Sequence, residues 1–236
     1  MGMNFEINEL ACQCRRDWNV NDVDSIDIFS LSPIKIKNLT ISFLDMGSGI
    51  SGACYKSENH NVIFINSKHS KGRQAFTLAH EIYHLKFDGF GFNVCSIKSD
   101  EVTERRANLF ASFLLMPYGA LNKYKKDNKI DCWSLDSIIA CEQYFKMSHA
   151  ALLFRLKDIG DITNKEFGSF KKDIKHNARI LGYSTSLYEP YIDKDNFTMG
   201  NYLKLVDIAS KNDLISNGLK EELLLEAYRE DIVFNL

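Results

Sequence analysis

His80, Glu81 and His84 stand inside Ala75–Phe87, which reads A-F-T-L-A-H-E-I-Y-H-L-K-F. Side chains four apart on a helix share one face, so His80 and His84 can reach a single metal ion. Glu81 then falls beside the place of a metal-bound water, where a carboxylate acts as general base in peptide hydrolysis. This H-E-x-x-H spacing is short and arises by chance on the order of once in a hundred such chains, so it gains meaning only from context. The alternative is an amphipathic helix with two exposed histidines.

A zinc ion that performs chemistry needs a third protein ligand and one open position. Asp100–Met116 reads D-E-V-T-E-R-R-A-N-L-F-A-S-F-L-L-M, with Val102, Arg106, Leu109, Phe110, Phe113 and Leu114 at helical spacing and Pro117 as the stop. Glu104 on this helix is placed to be the third ligand. Taken alone it reads equally as a solvated surface charge; with H-E-x-x-H upstream, the ligand is the stronger reading. Asn108, one turn later, can hydrogen-bond a ligand histidine and fix its tautomer, or bond only to nearby backbone. A donor for the developing oxyanion is also expected, and Tyr83, His149 and His176 all remain open for that role.

Other elements must hold these groups. Leu39–Leu44, Ile50–Tyr55 and Asn61–Asn66 are short β-rich runs separated by turn-like Gly47-Ser48-Gly49 and Ser57–His60. They predict a small antiparallel sheet beside the helix that carries the histidines. Asn61, Val62, Ile63, Phe64, Ile65 and Asn66 read as its edge strand, whose backbone groups would pair with an extended peptide. Before the sheet, Phe5–Trp18 and Asn21–Leu31 read as helices, the second ended by Ser32-Pro33. Asp88–Ser99, with Gly89 and Gly91, reads as a mobile loop near the site.

Lys123–Lys129 is a lysine-rich connector. Ser134–Ile159 has a helix-turn-helix outline, though it offers DNA little beyond His149, Arg155 and Lys157. Lys165–Arg179 is locally basic, and Asn201–Ile215 and Leu219–Tyr228 read as terminal helices. The expected organisation is a catalytic domain over 1–128, a helix-turn-helix-like segment over 129–160 and a helical region over 161–236.

Bulk properties narrow the function classes. A chain of 236 residues with 45% apolar and 25% charged residues can bury a core without staples. A formal charge of −2 gives no general pull toward nucleic acid. The six cysteines are scattered without a C-x-x-C pair, and Glu6 and Glu9 interrupt any signal-like apolar run. No stretch is long and apolar enough to span a membrane, so a cytoplasmic protein with reduced thiols is expected.

Taken together, the strands I-S-G-A-C-Y and V-I-F-I-N, then R-Q-A-F-T-L-A-H-E-I-Y-H, then E-R-R-A-N-L-F-A-S-F-L-L-M-P over Glu104–Pro117 resemble the ImmA/IrrE metallopeptidases. The resemblance runs from Phe5 to Ile159 and is strongest across Ile50–Pro117. It implies an α+β zincin-like domain, with a small antiparallel or mixed sheet packed on the zinc helix, followed by the helix-turn-helix-like segment and C-terminal helices. It implies one Zn2+ per chain on His80, His84 and Glu104, with Glu81 as the catalytic carboxylate. It further implies a partner: a helix-turn-helix repressor or antitoxin, of phage, mobile-element or toxin–antitoxin origin, that is cleaved or inactivated. A binding module that grips such a protein without hydrolysis, or a DNA-binding regulator, are the competing classes. Where the family commonly has glycine, in H-E-L-G-H, this chain has Tyr83, which bears on substrate fit more than on metal binding.

Overall fold

Helical spacing of Ile7, Ala11 and Cys14 makes α1 (Met3–Asp17), which buries that stripe against the core. The computed structural model describes residues 2–94 and 101–235. After α1 the expected helix does not begin at Asn21. The Asn21 side-chain oxygen instead accepts the N–H groups of Val23 at 3.0 Å and Asp24 at 2.7 Å, turning the chain. The second helix, α2 (Ile28–Lys35), starts later, capped by Asp27, and it contains Pro33 instead of stopping before it.

Next come β1 (Leu39–Leu44), β2 (Gly52–Lys56), β3 (Asn61–Asn66), α3 (Lys71–Phe87), β4 (Gly91–Val94) and α4 (Glu101–Leu115). The strand β4 falls within the stretch expected as a loop; the remainder of that stretch, from Cys95, lies outside the described residues. A fifth strand, β5 (Phe197–Gly200), arrives from far along the chain, and the sheet order is β4-β2-β3-β1-β5.

The sheet takes the mixed form that the resemblance allows, and the antiparallel order expected for the first three strands does not hold, because β1 and β3 run parallel, with Ile41 beside Ile63 and Phe43 beside Ile65. Asn61–Asn66 is also not an edge: β1 takes one side and β2 takes the other antiparallel, with Cys54 beside Ile63. Both sets of backbone groups are spent inside the sheet, so β3 cannot receive a substrate strand. The physical reason is its apolar content. Ile63 and Ile65 are fully buried, and a central position is where such a strand loses most water-exposed surface.

The remaining helices are α5 (Tyr118–Asp127), α6 (Leu135–Phe145), α7 (His149–Asp158), α8 (Asn164–Phe170), α9 (Ile174–Ile180), α10 (Asn201–Lys211), α11 (Asn217–Glu226) and α12 (Glu230–Val233). The lysine-rich connector is largely helical, because Ala120 and Leu121 anchor α5 on the core. The helix-turn-helix outline is present: Ser134 caps α6, Lys146 turns the chain at φ 55°, and Ser148 caps α7. Its turn presses on the start of α3. A Cβ at Gly72 would stand 2.9 Å from Ser148 Cα and 3.0 Å from the Met147 carbonyl, so only glycine permits that approach.

One hydrophobic core joins the sheet, α1, α3 and α4 to α6 and α7, through Phe43, Ile63, Leu78, Phe110, Ile138 and Leu152. No described helix is long and apolar enough to cross a membrane.

A single buried guanidinium ties three of these parts together. Arg15 donates through Nε to the Asn21 carbonyl at 2.8 Å, through Nη1 to the Leu114 carbonyl at 2.6 Å, and through Nη2 to the Asp24 carbonyl. Its loss would leave three acceptors to find new partners. Arg15→Ala is therefore expected to lower unfolding free energy by about 2–4 kcal/mol, read from urea denaturation.

Candidate metal centre

Three side chains converge where α3 meets α4. His80 Nε2 lies 3.1 Å from His84 Nε2 and 3.2 Å from a Glu104 carboxylate oxygen, and His84 Nε2 lies 3.7 Å from the other Glu104 oxygen. Both histidines are buried, and Glu104 is partly buried. The helix α3 supplies the two imidazoles from adjacent turns, and α4 packs closely enough along it to bring Glu104 across.

The orientation of the rings says what the cluster is built to hold. His80 Nδ1 sits 3.1 Å from Asn108 Oδ1, and His84 Nδ1 sits 2.7 Å from Asp88 Oδ2. Each Nδ1–H thus has an oxygen acceptor, which leaves the Nε2 lone pairs turned toward each other and toward a carboxylate. Acceptors converging at that spacing repel one another unless a cation lies among them. Zinc–nitrogen bonds of about 2.0–2.1 Å in a tetrahedron place ligand atoms about 3.3 Å apart, which matches the observed separations. The residues present fit a divalent metal of the zinc class. Asn108 stands where a helix turn beyond Glu104 suggests, whereas Asp88, which also ends α3, gave no comparable signal in the sequence.

Glu81 is fully buried and lines a hollow of about 300 Å³ together with His80, Glu104, Asn108, Ser51 and Arg73. Strand β2 comes down directly on its carboxylate. A Cβ at Gly52 would lie 2.5 Å from Thr77 Cγ2, 2.9 Å from the Phe64 carbonyl and 3.0 Å from Glu81 Oε1. Glycine at 52 makes the room in which that carboxylate sits. Two residues on lies the buried Cys54 thiol; burial first, and then the nearby Glu81 carboxylate, push its pKa far above the ordinary thiol range. Neither Gly52 nor Cys54 is detectable as part of a site from the sequence, because the contact is across space and neither belongs to a spaced motif.

Tyr83 turns away from this hollow. Its ring packs on Phe87 and Phe110 at centroid distances of 4.9 and 5.6 Å and meets His84 edge-on at 5.7 Å, and its hydroxyl accepts from Arg106 Nε at 3.1 Å. It therefore fills the α3–α4 seam beneath the histidines and leaves the cleft unobstructed. His149 is engaged by Glu142 and by the Phe170 carbonyl, and His176 is exposed on α9. None of the three oxyanion candidates lines the hollow, whereas Arg73 and Asn108 do.

The two Nδ1 acceptors generate a test. Asp88→Asn and Asn108→Ala are each expected to weaken zinc binding about 10–100-fold with little change in secondary structure, measured by competition with a chromophoric chelator. Unchanged affinity in both would mean that the rings are held by packing alone.

A family model described as the IrrE N-terminal-like domain matches residues 35–157, a span that holds His80, Glu81, His84, Glu104 and Asn108. Comparison with curated proteins returns no match. With more than half of its length matched and an α+β fold built around the H-E-x-x-H helix, the chain belongs to the ImmA/IrrE metallopeptidase family.

Proposed function

We propose that the chain is a zinc-dependent endopeptidase that cleaves, and so inactivates, a helix-turn-helix transcriptional repressor or antitoxin. The observation that carries the peptidase reading is the convergence of His80, His84 and Glu104 beside a buried Glu81. Two imidazoles and one carboxylate are the ligand set of a catalytic zinc, not a structural one. The substrate class rests on the family resemblance alone.

Zinc in this position would lower the pKa of a water toward about 7 and polarise a peptide carbonyl. The protein's own groups do the rest. Glu81 accepts the proton of the attacking water and delivers it to the leaving amine, a role worth about 10²–10⁴-fold. Burial beneath β2 keeps its carboxylate aimed at one place and excludes bulk water. Asn108 and Asp88 hold the imidazoles in the tautomer that presents Nε2. Arg73, held by Ser51 Oγ at 3.0 Å, stands at the rim of the hollow as the cation nearest a developing oxyanion.

The helix-turn-helix-like pair α6–α7 is read as a wall of the cleft. The three side chains it offered to DNA are engaged internally: His149 with Glu142, Arg155 between Phe113 and Tyr118, and Lys157 over the Phe167 ring. On this reading, residues 1–128 hold the chemistry, 129–160 shape the cleft, and 161–236 brace the sheet.

The protein, purified with the product of its neighbouring gene, is expected to cleave that product in a zinc-dependent reaction if it is a helix-turn-helix protein. Glu81→Gln should retain zinc and lose cleavage, and His80→Ala should lose zinc; cleavage by Glu81→Gln at the wild-type rate would sink the mechanism. Gly52→Ala should keep its zinc while kcat falls about 10²-fold, because the added methyl displaces the general base.

A further inference from the structure

Beside the catalytic hollow lies a second, larger cavity of about 780 Å³ between α3, α4 and α7. The two share Arg73, Phe76, Glu104 and Asn108, so they form one continuous depression. A peptide with its carbonyl at the candidate metal centre would therefore lay a neighbouring side chain in the larger space. Much of the wall is apolar, from Phe76, Leu109, Ala151 and Phe154.

The wall also carries three arginines, Arg73, Arg105 and Arg155. None of them forms an ion pair among the described residues, although Glu101 and Asp158 line the same space. By contrast, Arg16, Arg106 and Arg229 are all paired with carboxylates. Of the five arginines without an ion pair among the described residues (Arg15, Arg73, Arg105, Arg155 and Arg179), three line this cavity.

Arg155 is the unusual member. Only 3% of it is exposed, and its guanidinium is sandwiched between the rings of Phe113 and Tyr118, with centroids 3.8 and 4.2 Å away. Its Nε, Nη1 and Nη2 are all closed to solvent and have no hydrogen-bond acceptor. A buried charge without an acceptor costs stability, so its retention calls for a reason, and a group on a ligand that answers it is one. Burial pulls its pKa down to about 10, so it is still a cation at neutral pH. In so dry a setting its charge is weakly screened and reaches further than a surface arginine would.

We propose that this cavity is a specificity pocket for a carboxylate on the substrate peptide, an acidic side chain close to the bond that is cut. The proposal rests on the peptidase reading of the adjoining hollow. The apolar wall takes the methylenes of the side chain, Arg105 meets the carboxylate at the mouth, and Arg155 supplies a fixed positive floor.

The test separates this pocket from the chemistry next to it. Zinc-loaded Glu81→Gln protein, which cannot cleave, is titrated by fluorescence anisotropy with labelled dodecapeptide pools, acetylated and amidated, that differ only in a central Glu or Gln. A third pool carries Gln and a free C-terminal carboxylate. The Glu pool is expected to bind about tenfold tighter than the Gln pool, as a charge-assisted contact allows, with the margin shrinking in added salt. The margin should vanish in Arg105→Glu, an exposed position where folding is safe, and in Arg155→Met, whose thermal unfolding shows whether it still folds. Tighter binding of the free-carboxylate pool alone would support the pocket and assign its anion to the end of the chain. Equal binding of all pools, or a margin that survives both substitutions, would overturn the proposal. Wild-type protein that prefers Glu peptides yet cleaves none would refute the peptidase reading and leave the pocket standing.

Discussion

A helix enclosed on nearly every side must find partners for each polar group it carries, and α3 carries many. Gln74, Thr77, His80, Glu81 and His84 are all buried. Each unsatisfied group would cost about 1–3 kcal/mol, so its surroundings are specified in detail. Gln74 donates to the carbonyls of Asn66 and Ser67 and accepts the Tyr191 N–H, which pins the start of the helix to the end of β3. His80 commits α4 through Asn108, and His84 commits the end of its own helix through Asp88. Glu81 commits β2 through Gly52, the residue whose missing side chain leaves room for its carboxylate. The same contacts that make the burial tolerable also orient the side chains of the candidate metal centre.

How much of this could be read from residues follows from the range over which each signal acts. The pair His80 and His84, with Glu81 between them, is a local pattern, and four-residue spacing carries it without help from the fold. Glu104 and Asn108 lie one turn apart on a second helix, so they were legible once a metal ligand was being sought. The placement of β3 was not. The run V-I-F-I identifies a strand, but whether it sits at an edge depends on β1 and β2 arriving from either side, and strand pairing leaves no local trace. Gly52 and Cys54 are silent for the same reason. Tyr83 shows the opposite case: its departure from the family's usual glycine is conspicuous in sequence, yet the bulk is absorbed in the α3–α4 seam, away from the cleft.

The family match covers 35–157, and the structure shows how far the supporting architecture extends beyond it. Helix α1 lies before the matched span, yet Arg15 holds the end of α4 in place. Tyr191 lies after it, stacked on Phe29 at a centroid distance of 4.2 Å while its N–H holds Gln74. The matched segment contains the candidate metal centre; its orientation is maintained in part from outside.

Strand β5 makes that dependence temporal. It pairs antiparallel with β1, joining Thr40 to Gly200 and Phe43 to Phe197, across more than 150 residues of chain. On the ribosome, β1 therefore waits with one open edge while α3, α4 and the cleft are already synthesised, and the sheet closes only once residue 200 has emerged. Late closure orders events: every residue of the candidate metal centre is made before the sheet that supports it can be completed.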